Sequence, residues 1–265
     1  MKIGIVGCAG RMGRMLIQEV LATPGAELAG GVEPSGPAVG QDLGTLVGAK
    51  AVRIAVGSDI KALFAASDAV IDFTLPSATK MHAELAASMG KALVIGTTGL
   101  TDEVRAVIAT APKKSVIVQA PNMSVGVNVL LALTEKLAAA LGPDYDIDIL
   151  EMHHRHKVDA PSGTALGLGE AAAKGRKVAL KDVAKHTRDG QVGARPVGEI
   201  GFATLRGGDV VGDHTVIFAA NGERIEITHK ASSREIFAKG AVRAALWAAG
   251  KKPGLYSMRD VLGLG

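Results

Sequence analysis

The fold is decided by the stretch KIGIVGCAGRMG, residues 2–13. Its first five residues form a short apolar run, which predicts a buried strand. Glycines follow at positions 7, 10 and 13, and a helical pattern over residues 15–20 stops near Pro24. A strand, a glycine turn and a helix in this order are the setting that dinucleotide binding requires. Because Ala9 stands where the usual motif has its second glycine, and many turns carry glycine for tight packing, the glycines alone are weak evidence.

A carboxylate lies where a dinucleotide site needs one. A second predicted strand, residues 27–32, ends at Glu33, about 20 positions past the glycine loop. An acidic residue at this point accepts hydrogen bonds from a ribose hydroxyl. The loop and Glu33 together predict a nicotinamide or flavin nucleotide.

The rest of the first half alternates helix and strand patterns after a long loop predicted over residues 34–48. The predicted elements are helices over 60–66, from Pro76 and after Thr101, and strands over 69–74, 92–95 and 116–118. This alternation predicts an α/β fold with a Rossmann-like, doubly wound parallel sheet. Ligands bind beyond the carboxyl ends of such strands, so one rim should carry several turn residues beside the glycine loop. These are Thr74, Gly96, Thr97, Thr98, Ala120, Pro121, Asn122 and Met123. Ordinary turn chemistry is the alternative for each of them.

The pattern changes near residue 125 and predicts a second, α+β domain with an open mixed or antiparallel sheet. The predicted elements are a helix over 127–141, strands over 146–150 and 200–205, and a hairpin over 215–228. Asn221-Gly222 supplies the hairpin turn. A final helix over 236–249 carries Trp247 on its apolar face. The few helices leave one sheet face uncovered, so we expect a homo-oligomer.

The most reactive stretch is EMHHRHKVDAPSGTA, residues 151–165. Since residues i and i+4 share a side both in a helix and in an extended strand, we expect His153 and Lys157 to point the same way. His154 and His156 would share the opposite side if the segment is extended. Residues 162–164 resemble a helix start, whose amides and dipole favour a carboxylate or phosphate. The stretch therefore predicts a small-anion site with a proton donor. A basic surface loop and a histidine metal site are the alternatives, but adjacent histidines on a strand diverge, and we predict no metal.

Composition excludes several classes of function. The chain has 265 residues, 48% of them hydrophobic but only 3% aromatic, and a net charge of +4. Scarce aromatics argue against single-stranded nucleic acid, and the modest charge is weak support for any polyanion. The single cysteine, Cys8, fits a reducing compartment. Without a signal-peptide pattern or a long apolar run, we expect a cytoplasmic protein that binds neither nucleic acid nor membrane.

Over essentially its full length the chain resembles the 4-hydroxy-tetrahydrodipicolinate reductase (dihydrodipicolinate reductase) family. Five motifs carry the resemblance: Gly7-x-x-Gly10-Arg11-Met12-Gly13, Gly96-Thr97-Thr98-Gly99, Pro121-Asn122-x-Ser124-Val125-Gly126, Glu151-x-His153-His154-x-x-Lys157-x-Asp159-Ala160-Pro161-Ser162-Gly163-Thr164-Ala165 and His229-Lys230-Ala231-Ser232-Ser233-Arg234. The resemblance implies NAD(P)H-dependent reduction of a small cyclic dicarboxylate in lysine and diaminopimelate biosynthesis. It also implies a nucleotide domain of residues 1–124 plus 235–265, a substrate and oligomerisation domain of residues 125–234, and a homotetramer built through the second sheet.

The resemblance further assigns roles to individual residues. His153 and Lys157 would be catalytic, and His154, Gly163 and Thr164 would bind the substrate. The cofactor would contact Gly7, Cys8, Ala9, Gly10, Arg11, Met12, Glu33, Gly96, Thr97, Thr98, Ala120, Pro121, Asn122 and Met123. NADH should be preferred and NADPH possible, because Glu33 is followed by uncharged Pro34 rather than by a cation for a 2′-phosphate. Closure of the two domains is expected to assemble the site.

Two other functions fit parts of the sequence. A different NAD-linked dehydrogenase of amino or keto acids would share the nucleotide domain but would not need the Pro-Ser-Gly-Thr anion site. A nucleotide-sensing protein without turnover would need no proton donor aimed at an anion, so the His153 and Lys157 pair argues against it.

Overall fold

The computed structural model describes residues 1–264, and two compact units account for them. The first comprises Met1–Val125 and the segment from Glu235 onward, and the second comprises Gly126–Arg234. Gly265, the last residue of the predicted nucleotide domain, lies outside the described residues. The binding roles assigned to the two segments stay predictions.

The strands are β1 Lys2–Val6, β2 Glu27–Val32, β3 Ala69–Asp72, β4 Ala92–Ile95, β5 Val116–Gln119, β6 Asp146–His153, β7 Ala184–Lys185, β8 Ile200–Arg206, β9 Gly212–Ala220, β10 Glu223–Ala231 and β11 Gly254–Tyr256. The helices are α1 Arg11–Ala22, α2 Leu43–Leu46, α3 Ile60–Ala66, α4 Pro76–Met89, α5 Asp102–Thr110, α6 Val125–Leu141, α7 Gly163–Gly175, α8 Leu180–Val183, α9 Glu235–Ala248 and α10 Met258–Leu262, with a 3₁₀ turn at Ala111–Lys113. None of the described helices is long and apolar enough to span a bilayer.

The first unit is built on a six-stranded parallel sheet in the order β11-β5-β4-β3-β1-β2. Strand residues are buried on both faces, as parallel sheets require. Ile3 and Ile5 share a core with α1 and α9 on one face, whereas Val70 and Leu93 share a core with α3, α4 and α5 on the other. The predicted doubly wound α/β fold is confirmed. Its strand order reverses between β1 and β3, the point where such sheets bind ligands.

Three local features differ from the predicted pattern. The loop over residues 34–48 contains α2, which is too short for periodicity to reveal and is capped by the Asp42 carboxylate. β3 ends at Asp72 rather than Thr74, because the Asp72 carboxylate accepts the Thr74 N–H at 2.8 Å and turns the chain. Beyond α9 the chain adds β11, which extends the sheet by pairing with β5.

The second unit is built on a five-stranded sheet in the order β10-β9-β6-β8-β7. β6 pairs in parallel with β8 and antiparallel with β9, so the predicted mixed sheet is confirmed. β6 is longer than predicted, and its side chains alternate between buried and half-buried along all eight residues. Ile147 and Ile149 face the core formed with α6 and α7. The predicted Asn221-Gly222 turn joins β9 to β10, with Gly222 at a φ of 87°.

Candidate active site

The glycine loop between β1 and α1 lies close against its neighbours. Gly7 has a φ of 66°, and a Cβ built on it would lie 2.9 Å from the Thr74 methyl carbon. A Cβ on Gly13 would clash with the Gly7 carbonyl oxygen, so α1 packs directly on the loop. α1 has neither a side-chain cap nor an acidic residue in its first turn. Its amide donors and positive dipole end therefore suit an anionic group such as a pyrophosphate.

Glu33 closes the other side of this loop. Its carboxylate accepts the Ala9 N–H at 2.6 Å, and both residues line a cavity of about 460 Å³. Arg14 lines the same cavity, but its guanidinium donates to the Ala9 and Leu46 carbonyl oxygens. Arg11 is exposed at the start of α1. A larger cavity, about 750 Å³, lies beside Met1 at the amino ends of the strands and contains none of the predicted site residues.

The other predicted cofactor residues lie on the expected rim with different exposures. Gly96 and Thr97 are buried after β4, whereas Thr98 is exposed. Among residues 120–123, Pro121 is exposed and Asn122 is half-buried, its side-chain oxygen accepting the Ser124 N–H at 2.9 Å. The remaining predicted contacts, Cys8, Ala120 and Met123, have buried side chains in the core, so only their backbone atoms suit a ligand, while Gly10 is exposed and Met12 half-buried. Burial raises the pKa of the Cys8 thiol to about 12, which keeps it neutral.

In the second unit, His153 ends β6 and is held by a buried carboxylate. Its Nδ1 lies 2.6 Å from Glu151 Oε2. Arg206 donates to both Glu151 oxygens, at 2.8 and 3.0 Å, and the Ser162 N–H donates to Oε1 at 3.1 Å. Glu151 is 1% exposed and His153 8% exposed. This acceptor keeps the proton of neutral His153 on Nδ1, which leaves Nε2 as the atom that can accept or deliver a proton.

The charges of this pair follow from their surroundings. Burial alone would raise the pKa of Glu151, but hydrogen bonds from Arg206 and His153 bring it below its usual value. Burial lowers the pKa of His153, and the nearby Lys157 and Arg206 charges lower it further, although Glu151 opposes the shift. At neutral pH an ionised Glu151 therefore faces a neutral His153.

His214 packs against His153. The two rings pack edge to face with centroids 5.1 Å apart, and His214 Nε2 lies 3.0 Å from Ser162 Oγ. Ser162 Oγ also accepts the Ala165 N–H at 3.1 Å, so it caps α7 while His214 orients its hydroxyl. Burial is the main cause that lowers the pKa of His214 to about 4.

Lys157 lies in the loop after β6, not on an extended strand. β6 ends at His153, and the Lys157 N–H donates to the His154 carbonyl oxygen at 3.1 Å, so the residues after His153 form a turn rather than an extended segment. Lys157 Nζ donates to Asp159 Oδ1 at 2.7 Å. The positive charge of Lys157 contributes to lowering the pKa of His153. The ring centroids of His154 and His156 lie 6.3 Å apart.

The predicted anion site begins where α7 begins. Ser162 is the N-cap, as the sequence indicates, and Gly163 is the first helical residue. Gly163 is exposed and a Cβ there would meet no atom within 4 Å. Thr164 is half-buried in the first turn of α7. His154 Nδ1 is buried and has no hydrogen-bond partner within residues 1–264.

The structure bears on the alternative of a histidine metal site, and it also adds residues around His153. Across residues 1–264 no group of three His, Cys, Asp or Glu side chains has metal-binding geometry. The structure also gives contacts in the site to Glu151, Arg206 and His214, for which the sequence predicts no role. The period-2 alternation of β6 could have revealed Glu151, since it shares a face with His153. No local pattern indicates Arg206 or His214.

The fold and these residues define a class: an oxidoreductase with a Rossmann-like unit and a second unit in which a buried carboxylate holds a histidine. Comparisons with known proteins specify the family. The family model for the dihydrodipicolinate reductase N-terminus matches residues 1–123, and the one for the C-terminus matches residues 126–262. The chain is 55% identical to the 4-hydroxy-tetrahydrodipicolinate reductase of Methylocella silvestris, covering 100% of this chain and 98% of that protein. It is 52% identical to the enzyme of the same name from Anaeromyxobacter dehalogenans, covering 99% and 98%.

A solved structure shows the same fold. Dipicolinate-bound dihydrodipicolinate reductase from Paenisporosarcina sp. TG-14 aligns with a TM-score of 0.78 at 24% identity, covering 98% of each chain. The chain belongs to the dihydrodipicolinate reductase family. This is a family of NAD(P)H-dependent oxidoreductases of lysine and diaminopimelate biosynthesis.

Proposed function

We propose that the chain reduces 4-hydroxy-tetrahydrodipicolinate to tetrahydrodipicolinate, using His153 and Lys157 for proton transfer. The net change takes up a hydride and a proton and releases water. The observation that carries the assignment is the Glu151 carboxylate, which holds His153 by Nδ1 and the start of α7 by the Ser162 N–H. One buried group thus positions both a proton-transfer residue and an anion site.

The glycine loop and Glu33 are the proposed nucleotide site, with the other predicted contacts on the rim around it. The uncapped start of α1 suits the pyrophosphate, and the Glu33 carboxylate suits ribose hydroxyls. When bound, the nicotinamide supplies the hydride. These two features support a dinucleotide, and membership of a reductase family supports NAD(P)H as the hydride donor.

Lys157 and His153 have different proposed roles. The Lys157 ammonium carries a positive charge and a proton, so it polarises or protonates the ring nitrogen as negative charge develops there. Neutral His153 exposes the lone pair of Nε2, so it relays a proton rather than holding one in the resting site. The substrate carboxylates would rest on the Gly163 and Thr164 amides and on His154.

We propose that NADH is preferred over NADPH. Glu33 would repel a 2′-phosphate, and Pro34 offers neither a charge nor an N–H. Arg14 is already engaged by backbone carbonyl oxygens. Arg11 is exposed and is the one cation of the loop without such an engagement among the described hydrogen bonds, so NADPH stays possible.

We also propose a homotetramer formed through the open face of the second sheet. Leu150 and Met152 point away from the core face of β6 and are half-buried, and Leu205 on β8 is 47% exposed. Leu150 is in register with Ala203, and Met152 with Leu205, so these side chains form a continuous apolar strip. Light scattering of the parent chain and of Leu205→Asp would test this, because a charge in the strip should dissociate the subunits.

The function is tested by loss of reduced-nicotinamide absorbance with freshly generated substrate. Lys157→Ala and His153→Ala should each lower turnover by roughly 10²- to 10⁴-fold, the usual contribution of a positioned acid or base. The dissociation constant for NADH should stay the same, since neither residue lies in the nucleotide-binding unit. Turnover of Lys157→Ala at the parent rate would refute the role of Lys157, and no turnover by the parent chain would refute the proposed reaction.

A further inference from the structure

A buried carboxylate at the end of β3 has no part in the site described so far. Asp72 is 0% exposed, and isolating a charge from water is costly unless it is paired and hydrogen-bonded. Burial would raise its pKa, but hydrogen bonds from His82 and Thr74 bring it below its usual value. Asp72 is therefore ionised at neutral pH, and its partners show what the charge holds together.

The two oxygens of Asp72 bind different segments. Oδ2 lies 2.8 Å from His82 Nδ1, which anchors the carboxylate to α4. Oδ1 accepts the Thr74 N–H at 2.8 Å, the Thr74 hydroxyl at 2.6 Å and the Thr97 hydroxyl at 3.2 Å. Thr74 and Thr97 belong to two different loops of the nucleotide rim.

Thr79 fixes the direction of the Thr97 hydrogen bond. The Thr79 hydroxyl donates to Thr97 Oγ1 at 2.9 Å. A hydroxyl has a single proton, so Thr97 is left to direct its own proton at Asp72. Thr79 lies on α4 and is 0% exposed, and its hydroxyl is linked to Asp72 through the hydroxyl of Thr97.

The loops that Asp72 holds have little freedom to shift. The Thr74 methyl carbon lies 2.9 Å from the position that a Cβ on Gly7 would take, so Thr74 packs closely against the glycine loop. A Cβ on Gly96 would clash with the Phe73 ring, so the second loop packs against the residue after Asp72. The Gly96 N–H also donates to the Asp72 carbonyl oxygen at 2.9 Å.

We infer that Asp72, with His82, Thr97 and Thr79, is a positioning network that holds the glycine loop and the 96–98 loop at the one spacing that seats a nicotinamide dinucleotide. The inference rests on the proposed function for the identity of the ligand. Asp72 acts through Thr74 and Thr97 and is not itself assigned a contact with the cofactor. Its expected effect is on cofactor binding and hydride geometry, not on substrate affinity.

The test is an isosteric change at the far end of the network. Thr79→Val removes the hydroxyl while keeping the shape, and Thr79→Ser retains it. Thr134→Val is the matched control, because Thr134 is equally buried in α6 of the other unit, where its hydroxyl donates to Leu130 O at 2.8 Å. All three are compared with the parent chain and with Asp72→Asn.

Thr79→Val should raise both the NADH dissociation constant and the KM for NADH about 3- to 10-fold, the range expected for one hydrogen bond. It should also change the primary isotope effect with deuterated NADH, while the KM for substrate stays constant. Thr79→Ser should behave as the parent, and Asp72→Asn should exceed Thr79→Val. Thr134→Val should lower the melting temperature without altering any cofactor parameter.

The outcomes separate this inference from the proposed reaction. NADH binding is measured without substrate, so weaker binding in Thr79→Val supports the network even if the parent chain does not turn over dipicolinate-type substrate. If Thr79→Val and Thr134→Val lose similar thermal stability and both keep the parent NADH dissociation constant and isotope effect, the network is only structural and the inference is overturned. That comparison stands even if Asp72→Asn does not fold.

Discussion

Replacing Glu151 by Gln should impair catalysis and should also destabilise the fold. Glu151 accepts four hydrogen bonds, two of them from Arg206 and one each from His153 and the Ser162 N–H. Gln offers one acceptor oxygen and directs an NH₂ group at donors that cannot accept it. One hydrogen bond to a charged group contributes about 1.5–3 kcal/mol, which corresponds to roughly 10- to 150-fold in kcat/KM if His153 must be restored to its position in the transition state.

The assay combines steady-state kinetics with thermal unfolding. Glu199→Gln is the control, since Glu199 pairs with Arg188 at 2.5 Å in the same unit but does not contact His153. Breaking the buried Glu151–Arg206 pair should cost up to about 3 kcal/mol, the low end for such pairs because Arg206 is 22% exposed. NADH binding should be unchanged in both variants. If Glu151→Gln keeps kcat/KM within about twofold of the Glu199→Gln value, Glu151 does not position His153.

Three further predictions follow from the same geometry. Gly163→Pro should weaken competition by pyridine-2,6-dicarboxylate, because proline lacks the amide donor; the helix should tolerate proline there, since the preceding Ser162 is already extended. Gly163→Ala should leave the competition unchanged, because the amide is kept and the side chain has room. Equal inhibition constants for the two variants would show that the anion site lies elsewhere. Burial lowers the pKa of His214 to about 4 and also lowers the pKa values of His153 and His229. Below about pH 6.5 these histidines are therefore protonated in the unfolded chain but stay neutral in the folded chain. Stability in urea should therefore be constant above that pH and fall as pH drops towards 4, by on the order of 3 kcal/mol for His214 alone, and His214→Gln should flatten the slope; an unchanged slope would contradict the assignment. Pro34→Arg should narrow an NADH preference of about tenfold in kcat/KM, corresponding to roughly 1.4 kcal/mol, and equal use of NADPH by the parent chain would show that another cation offsets Glu33.

Much of the fold is determined by local sequence. Strand β1, the glycine loop and α1 follow from an apolar run, small residues at a tight turn and a helical repeat, all within residues 2–22. Ser162 at the start of α7 and the Asn221-Gly222 turn are equally local, because a cap or a turn depends on backbone conformation over a few residues. The sequence does not predict α2, because a helix of four residues is too short to show a helical period.

The active site depends on contacts that no local pattern contains. Arg206 reaches Glu151 across 55 positions, and His214 reaches Ser162 across 52, because β8 and β9 flank β6 in the sheet. Lys157 lies in a turn after β6, so neither helical nor strand spacing relates it to His153. The residue types predicted proton transfer, but the protonation states follow from burial and paired charges. Burial and pairing exist only once distant strands have come together, so only the tertiary structure could decide them.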